Sequence, residues 1–304
     1  MSDMLLSGRD IRELADAAGI HPSKQRGQNF LTDPNTVRAI VDRAGIQAGD
    51  RVLEVGPGLG SLTLGLLERG ADVAAIEIDR AVAELLPLTI AARGVDPSRF
   101  ALVHADALQV TELPRTAAGE PHALVANLPY NVATPILLTL LARFPSLTTA
   151  FVMVQSEVVD RLAAQPGSRI YGAPSVKTAW YGKAVRAGEI SRQVFWPVPN
   201  VDSSLVSIVR DPQPRGTDEE REMTFAAVDA AFLQRRKMLR SALSTWAGSG
   251  ARATALLESV GIDPTRRGET LVVDDFLALA RARAAADAAT SAPTAGHPTE
   301  ETSA

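Results

Sequence analysis

Leu53-Glu54-Val55-Gly56-Pro57-Gly58-Leu59-Gly60 is the stretch on which the fold turns. It closes an apolar run over 51–55 with three glycines at alternate positions, and a helix-patterned segment follows over 61–69. Glycine admits a tight backbone turn and lets a ligand approach the main chain. A strand that runs through such a turn into a helix is the opening unit of a doubly wound α/β sheet. Outward from it the pattern repeats. Strands are expected over 73–78, 100–104, 124–126 and 149–155, with helices over 80–93 and 134–143, and a helix through 164 after the last strand. Upstream, Asp33-Pro34 starts a helix through 44, with the aspartate as cap and the proline at the first helical position. A short helix is expected over 10–18, and 24–31 reads as a segment that covers a pocket.

After Trp180 the pattern changes. Residues 183–191 and 204–209 read as strands, in an antiparallel arrangement, and 211–216 as a linker. Helices are expected over 218–233, 236–246, 251–260 and 273–285. The Ala, Thr, Ser and Pro composition from 286 onward offers too little apolar surface to fold and reads as disordered. The expected organisation is therefore a Rossmann-like α/β domain over 1–212, a small α-helical domain over 213–285 and a tail over 286–304.

The bulk properties exclude several classes of function. The 304 residues contain no cysteine, which removes disulfides, zinc-thiolate sites and thiol nucleophiles and agrees with a cytoplasmic setting. His21, His104, His122 and His297 lack metal-ligand spacing, so no metal is expected. No secretory signal or membrane span is seen. A net charge of −4 argues against a uniformly basic coat, yet Arg161, Arg169, Lys177, Lys183, Arg186 and Arg192 face a single acid, Glu189, between 161 and 200. A second cluster is Arg235-Arg236-Lys237 with Arg240. Local clusters of this kind, more than net charge, decide whether a phosphate backbone is held. Arg236, Lys237 and Arg240 on one helix face would contact RNA phosphate, with a solvated face as the alternative.

The glycine spacing G-x-G-x-G differs from the dinucleotide fingerprint G-x-G-x-x-G, which disfavours a nicotinamide dehydrogenase. Glu54 before it would repel a pyrophosphate and suits a cation such as the sulfonium and ammonium of S-adenosylmethionine; a purely structural turn is the alternative. Glu77, at a strand end about 20 residues further on, is placed to accept ribose hydroxyls. Asp106 after the third strand can accept from an adenine amine or simply cap a turn. Asn127-Leu128-Pro129-Tyr130 ends the fourth strand. An amide oxygen and a backbone carbonyl there can take the two N–H groups of an exocyclic amine, and the ring of Tyr130 can stack on the base. Phe195, beside Trp196, is either the opposite stacking face or a core residue.

These pieces resemble the ribosomal RNA adenine N6-dimethyltransferase family of the small subunit, and are similar also to the erythromycin-resistance methylases of the large subunit. The resemblance rests on Gly27-Gln28-Asn29-Phe30-Leu31, the glycine loop, Glu77-Ile78-Asp79, Asp106-Ala107-Leu108, Asn127 to Asn131, Gln155-Ser156-Glu157-Val158, Tyr171-Gly172, Val194-Phe195 with Pro197 and Pro199, and Arg235-Arg236-Lys237. It implies a Rossmann-like S-adenosylmethionine-dependent methyltransferase sheet with a small C-terminal α-helical domain. It implies donor contacts at Asn29, Leu31, Gly56, Glu77, Asp106 and Asn127, and a base pocket from Asn127, Leu128, Tyr130 and Phe195. The implied substrate is small-subunit ribosomal RNA in an immature subunit, dimethylated on two adjacent adenines by a monomer. Arg26, Ala105 and Ser241 depart from residues common in the family, and none carries a named chemical role. A DNA adenine methylase and a non-catalytic RNA-binding assembly factor are the competing readings.

Overall fold

Five strands run parallel and two close one edge. The sheet order is β4 (Phe100–His104), β3 (Asp72–Glu77), β2 (Arg51–Val55), β5 (Ala123–Asn127), β6 (Thr149–Gln155), β9 (Ser203–Arg210) and β7 (Gly182–Ile190). β9 alone is reversed, being antiparallel to both β6 and β7. These elements belong to a computed structural model that describes residues 4–20 and 29–291. The parallel strands β2 and β5 are buried along nearly their whole length, as strands covered on both faces must be. The chain steps outward from β2 to β3 to β4, then returns to place β5 on the other side of β2. This reversal opens a crevice beyond the C-terminal ends of β2 and β5, where α/β sheets bind ligands.

Local chemistry accounts for most of the elements. α1 (Gly8–Ala17) begins with a reciprocal capping box between Ser7 and Asp10. α2 (Pro34–Arg43) starts as expected, with the Asp33 carboxylate accepting from the Thr36 N–H at 2.9 Å. α3 (Ser61–Glu68) leaves the glycine loop with seven consecutive buried residues, since it packs between the sheet and α2. α4 (Arg80–Ala92) is capped by Asp79 and continues through Pro87. α5 (Ala133–Arg143) and α6 (Ser156–Leu162) flank β6 in the chain. The half-buried guanidinium of Arg210 donates to the carbonyls of Leu141 and Leu147 at 2.6 and 2.8 Å, which closes the turn between α5 and β6.

Three elements lie outside the expectations. β1 (Phe30–Leu31) pairs antiparallel with β8 (Phe195–Trp196), and α7 (Ala173–Ala179) precedes β7. The Gly27-Gln28 part of the covering segment lies outside the described residues.

Compactness separates Met1–Gln165 with Lys177–Arg215 from Pro166–Val176 with Gly216–Ala304. In the second unit α8 (Asp218–Leu233) packs along α12 (Val273–Ser291), with α9 (Leu239–Ala242), α10 (Ser244–Ala247) and α11 (Gly250–Ser259) completing the bundle. Its core includes Phe276, Leu257 and Leu239. Tyr171 ties the 166–176 stretch to these helices, donating to the Leu271 carbonyl at 2.9 Å and meeting Phe232 edge-on at 6.1 Å.

Two expectations need correction here. The helix over 236–246 does not form. Gln234 leaves the helical region, Met238 is extended, and only α9 and α10 follow. The amides of Leu239 and Arg240 find the carbonyls of Arg266 and Pro264 at 2.8 and 3.1 Å, so tertiary hydrogen bonds override local helix propensity. Arg236 and Lys237 therefore sit in a turn and Arg240 on α9, so they do not share one helix face. Second, α12 runs to Ser291, so 286–291 is helical. Alanine favours helix strongly, and Asp287 pairs with Arg252 and, at 3.6 Å, with Arg283. Residues 292–304 of the expected tail lie outside the described residues. Among the described residues no helix is long and apolar enough to cross a membrane.

Candidate active site

The crevice at the strand reversal holds a cavity of about 660 Å³, within the range of small-molecule sites. The glycine loop forms one wall, with Gly56, Gly58 and Gly60 all at positive φ. At Gly58 (φ +57°) an added Cβ would lie 3.0 Å from the Phe30 ring, so the loop passes directly under β1. That strap is held at three points. β8 pairs with it, the Thr32 N–H donates to the Val194 carbonyl at 2.8 Å, and the buried Ser61 hydroxyl donates to the Leu31 carbonyl at 2.6 Å. Asn29, Phe30 and Leu31 all line the cavity.

Two buried carboxyl groups give the cavity its electrostatic character. Glu54, 1% exposed at the end of β2, accepts from the Thr63 hydroxyl at 2.7 Å. Burial pushes its carboxyl up to about 8; the Thr63 bond opposes this and the charge of Glu77 adds to it. Glu77, at the tip of β3, is raised by burial in the same way, against the hydrogen bonds it accepts from the Asp79 N–H (2.8 Å) and the Gly58 N–H (3.3 Å). Both line the cavity. A ligand carrying positive charge would stabilise the ionised form of each.

The opposite wall is the end of β5. Asn127 donates from Nδ2 to the Asn29 carbonyl at 3.2 Å, which leaves Oδ1 as the uncommitted end of the amide. The Leu128 N–H donates to the Met153 carbonyl at 3.1 Å and its side chain is buried. Tyr130, half-buried on the same wall, bonds its hydroxyl to the Ser203 hydroxyl at 2.6 Å. Gly56, Glu77, Asn29, Leu31, Asn127, Leu128 and Tyr130 are thus brought together.

Three other groups are placed elsewhere. Asp106 does not line the cavity; its carboxylate accepts from the Leu108 N–H at 2.9 Å and from Gln109 Nε2 at 3.0 Å, which is turn-capping geometry. Phe195 is 2% exposed, lies opposite Leu31 in the β1–β8 pair and belongs to the hydrophobic core. Its ring is not part of the cavity wall. Arg236, Lys237 and Arg240 lie in the helical unit. Sequence reasoning missed Ser203, whose only signal is a pair of serines heading an apolar strand, and the role of β8 in holding the strap.

The family model of the ribosomal RNA adenine dimethylases matches residues 21–284. The chain belongs to that family. A ribosomal RNA small subunit methyltransferase A from Streptomyces griseus is 59% identical over 279 residues, covering 91% of this chain and 95% of its own. A protein of the same description from Kineococcus radiotolerans is 60% identical over 279 residues, covering 92% of each chain. The crystal structure of a dimethyladenosine transferase from Plasmodium falciparum superposes with a TM-score of 0.69 over 82% of this chain and 95% of its own, at 22% identity, a likeness of fold. S-adenosylmethionine is the methyl donor of these dimethylases. The residues present fit it, because the cavity sets two buried carboxyl groups beside a glycine turn, a lining suited to a cationic nucleoside.

Proposed function

We propose that this chain, acting as a cytoplasmic monomer, transfers methyl groups to N6 of two adjacent adenines of small-subunit ribosomal RNA within an immature subunit and dimethylates each. The description carried by its relatives at 57–60% identity supports the substrate class. The observation that carries the chemistry is the Asn127 amide, anchored through Nδ2 by the Asn29 carbonyl on the wall of the cavity.

The N6 lone pair of adenine is delocalised into the ring and is a poor nucleophile. Asn127 Oδ1 and the Leu128 carbonyl accept its two hydrogens and draw the nitrogen towards a tetrahedral geometry, an interaction worth most in the transition state. S-adenosylmethionine supplies the electrophilic methyl carbon on its sulfonium. Glu77 would accept the ribose hydroxyls of the donor, and Asn29, Leu31 and Gly56 would enclose it, whereas Asp106, which caps a turn outside the cavity wall, is not assigned to it. Held in line, the reactants gain about 7–11 kcal/mol from positioning. The methylated nitrogen is cationic and releases its proton to water, so no general base is required.

Extruding the target base from its stack costs a few kcal/mol, of which stacking on Tyr130 returns about 1–3 kcal/mol. Buried Phe195 supports Leu31 from behind the wall. Arg236, Lys237 and Arg240 hold RNA phosphate on the helical unit.

Asn127→Ala tests this reading. Methyl transfer to immature small subunits is expected to fall about 10²–10³-fold, the usual effect of deleting one preorganised hydrogen-bonding group, with RNA affinity near that of the wild type. Transfer at close to the wild-type rate would refute it.

A further inference from the structure

Strand β9 opens with two serines, Ser203 and Ser204, both fully buried, and each makes a hydroxyl-to-hydroxyl bond. Ser204 meets Ser156 at 2.7 Å, and Ser203 meets Tyr130 at 2.6 Å. Ser203 is paired on both sides, with Gln155 of β6 and Ile190 of β7, so its backbone is fixed in the sheet. Tyr130 instead sits on the short loop between β5 and α5. The tyrosine oxygen lies on the axis of the second side-chain torsion, so its position alone fixes the tilt of the ring; because conjugation keeps the phenol O–H and its lone pair in the ring plane, the bond to Ser203 Oγ also favours the ring rotation that holds that oxygen in plane. Removal of the Ser203 hydroxyl would leave the partly buried phenol without its hydrogen-bond partner among the described residues.

We infer that Ser203 is a positioning residue which, through Tyr130, sets the plane of the acceptor base and governs the second methylation more than the first. This rests on the reading of the cavity wall at Asn127 and Tyr130 as the base pocket. The chemistry of the two turnovers makes the difference. Unmodified adenine offers two N6 hydrogens, one for Asn127 Oδ1 and one for the Leu128 carbonyl. The first transfer forms an N–C bond, breaks the S–C bond of the donor and sends one N6 proton to water. The product amine retains a single hydrogen, so one of the two acceptors has nothing to receive. Orientation of the monomethylated base then depends on its stacking plane to a greater degree. After the second transfer no N–H remains.

The test is a time course of ribosomal RNA methylation on immature small subunits, resolved by mass spectrometry into unmodified, N6-methyl and N6,N6-dimethyl adenine. Ser203→Ala is expected to slow the first transfer a few-fold and the second roughly ten-fold more, the scale of one hydrogen bond, so that N6-methyladenine accumulates. Ser203→Thr, which keeps the hydroxyl, should restore the wild-type product ratio. Tyr130→Phe should shift the ratio as Ser203→Ala does, and the double variant should add nothing. Equal slowing of both transfers by Ser203→Ala, or no monomethyl accumulation, overturns the inference. Tyr130→Ala separates the two levels. If it impairs transfer while Ser203→Ala leaves the ratio unchanged, the inference alone fails. If Tyr130→Ala leaves both transfers at the wild-type rate, the base-pocket reading fails with it.

Discussion

Glu54→Gln should make the protein more stable in mild alkali and change little in mild acid. In the folded chain the Glu54 carboxyl is moved from its ordinary 4.5 to about 8, chiefly by burial. Unfolding returns it to water, where it titrates normally. The native state therefore binds the Glu54 proton more tightly than the unfolded state does, and stability must fall as pH rises between the two values. The contribution is fully present below about pH 4.5, is reduced by about 2 kcal/mol near pH 6, and is reduced by about 5 kcal/mol above about pH 8, at about 1.4 kcal/mol per unit. With Glu54 only 1% exposed, little of this is screened by solvent.

Glutamine keeps the shape and can still accept from the Thr63 hydroxyl, and it does not titrate. The assay is urea unfolding of both proteins at about pH 5, 7 and 9, without donor. The comparison between the two proteins cancels groups common to both, except for the relief of Glu77 once its charged neighbour is gone. The stability difference, variant minus wild type, should grow by about 3–4 kcal/mol from the lowest to the highest pH. A difference that stays level across that range would show that Glu54 is ionised at its ordinary pKa in the fold, and the electrostatic account of the cavity would fail.

Two further outcomes follow from the geometry. Gly58→Ala places a methyl 3.0 Å from the Phe30 ring at a φ of +57°; it should destabilise the protein by about 1–2 kcal/mol in thermal unfolding and weaken donor binding in calorimetry, because the strap over the cavity must move. Neutralising Arg236, Lys237 and Arg240 together should lower RNA affinity and reduce the slope of log affinity against log salt by about 2, and an unchanged slope would remove these three from the phosphate contact.

Local rules account for much of the fold. The Asp33 cap, the alternation of apolar strands with helical segments and the glycine turn after β2 each act within a few residues, so they are legible along the chain. The failures share one cause. The β1–β8 pair joins Phe30 to Trp196, and two residues are too few to show a strand pattern. The break at 234–238 depends on carbonyls of Pro264 and Arg266, supplied by a distant loop. The start of the tail orders despite its low hydrophobicity. Its alanines are strong helix formers, and Arg252, 35 residues away, anchors Asp287.

The candidate site divides along the same line. The candidate groups at strand ends, Gly56, Glu77 and Asn127, are marked by their position in or just after an apolar run. What those groups do electrostatically is not marked. Along the chain Glu54 reads simply as a counter-charge for a cation, yet burial, with Glu77 adding to it, raises its carboxyl and favours the protonated form. The orientation of Asn127 is fixed by a carbonyl 98 residues away, and that of Tyr130 by a hydroxyl 73 residues away. Sequence order therefore names the candidate amide and the ring, whereas the groups that hold them come from Asn29, just before β1, and from Ser203 on β9. On the proposed mechanism, a chain that keeps Asn127, Pro129 and Tyr130 still loses the chemistry when Ser203 or the 29–32 strap is disrupted, with every residue of the recognisable motif intact.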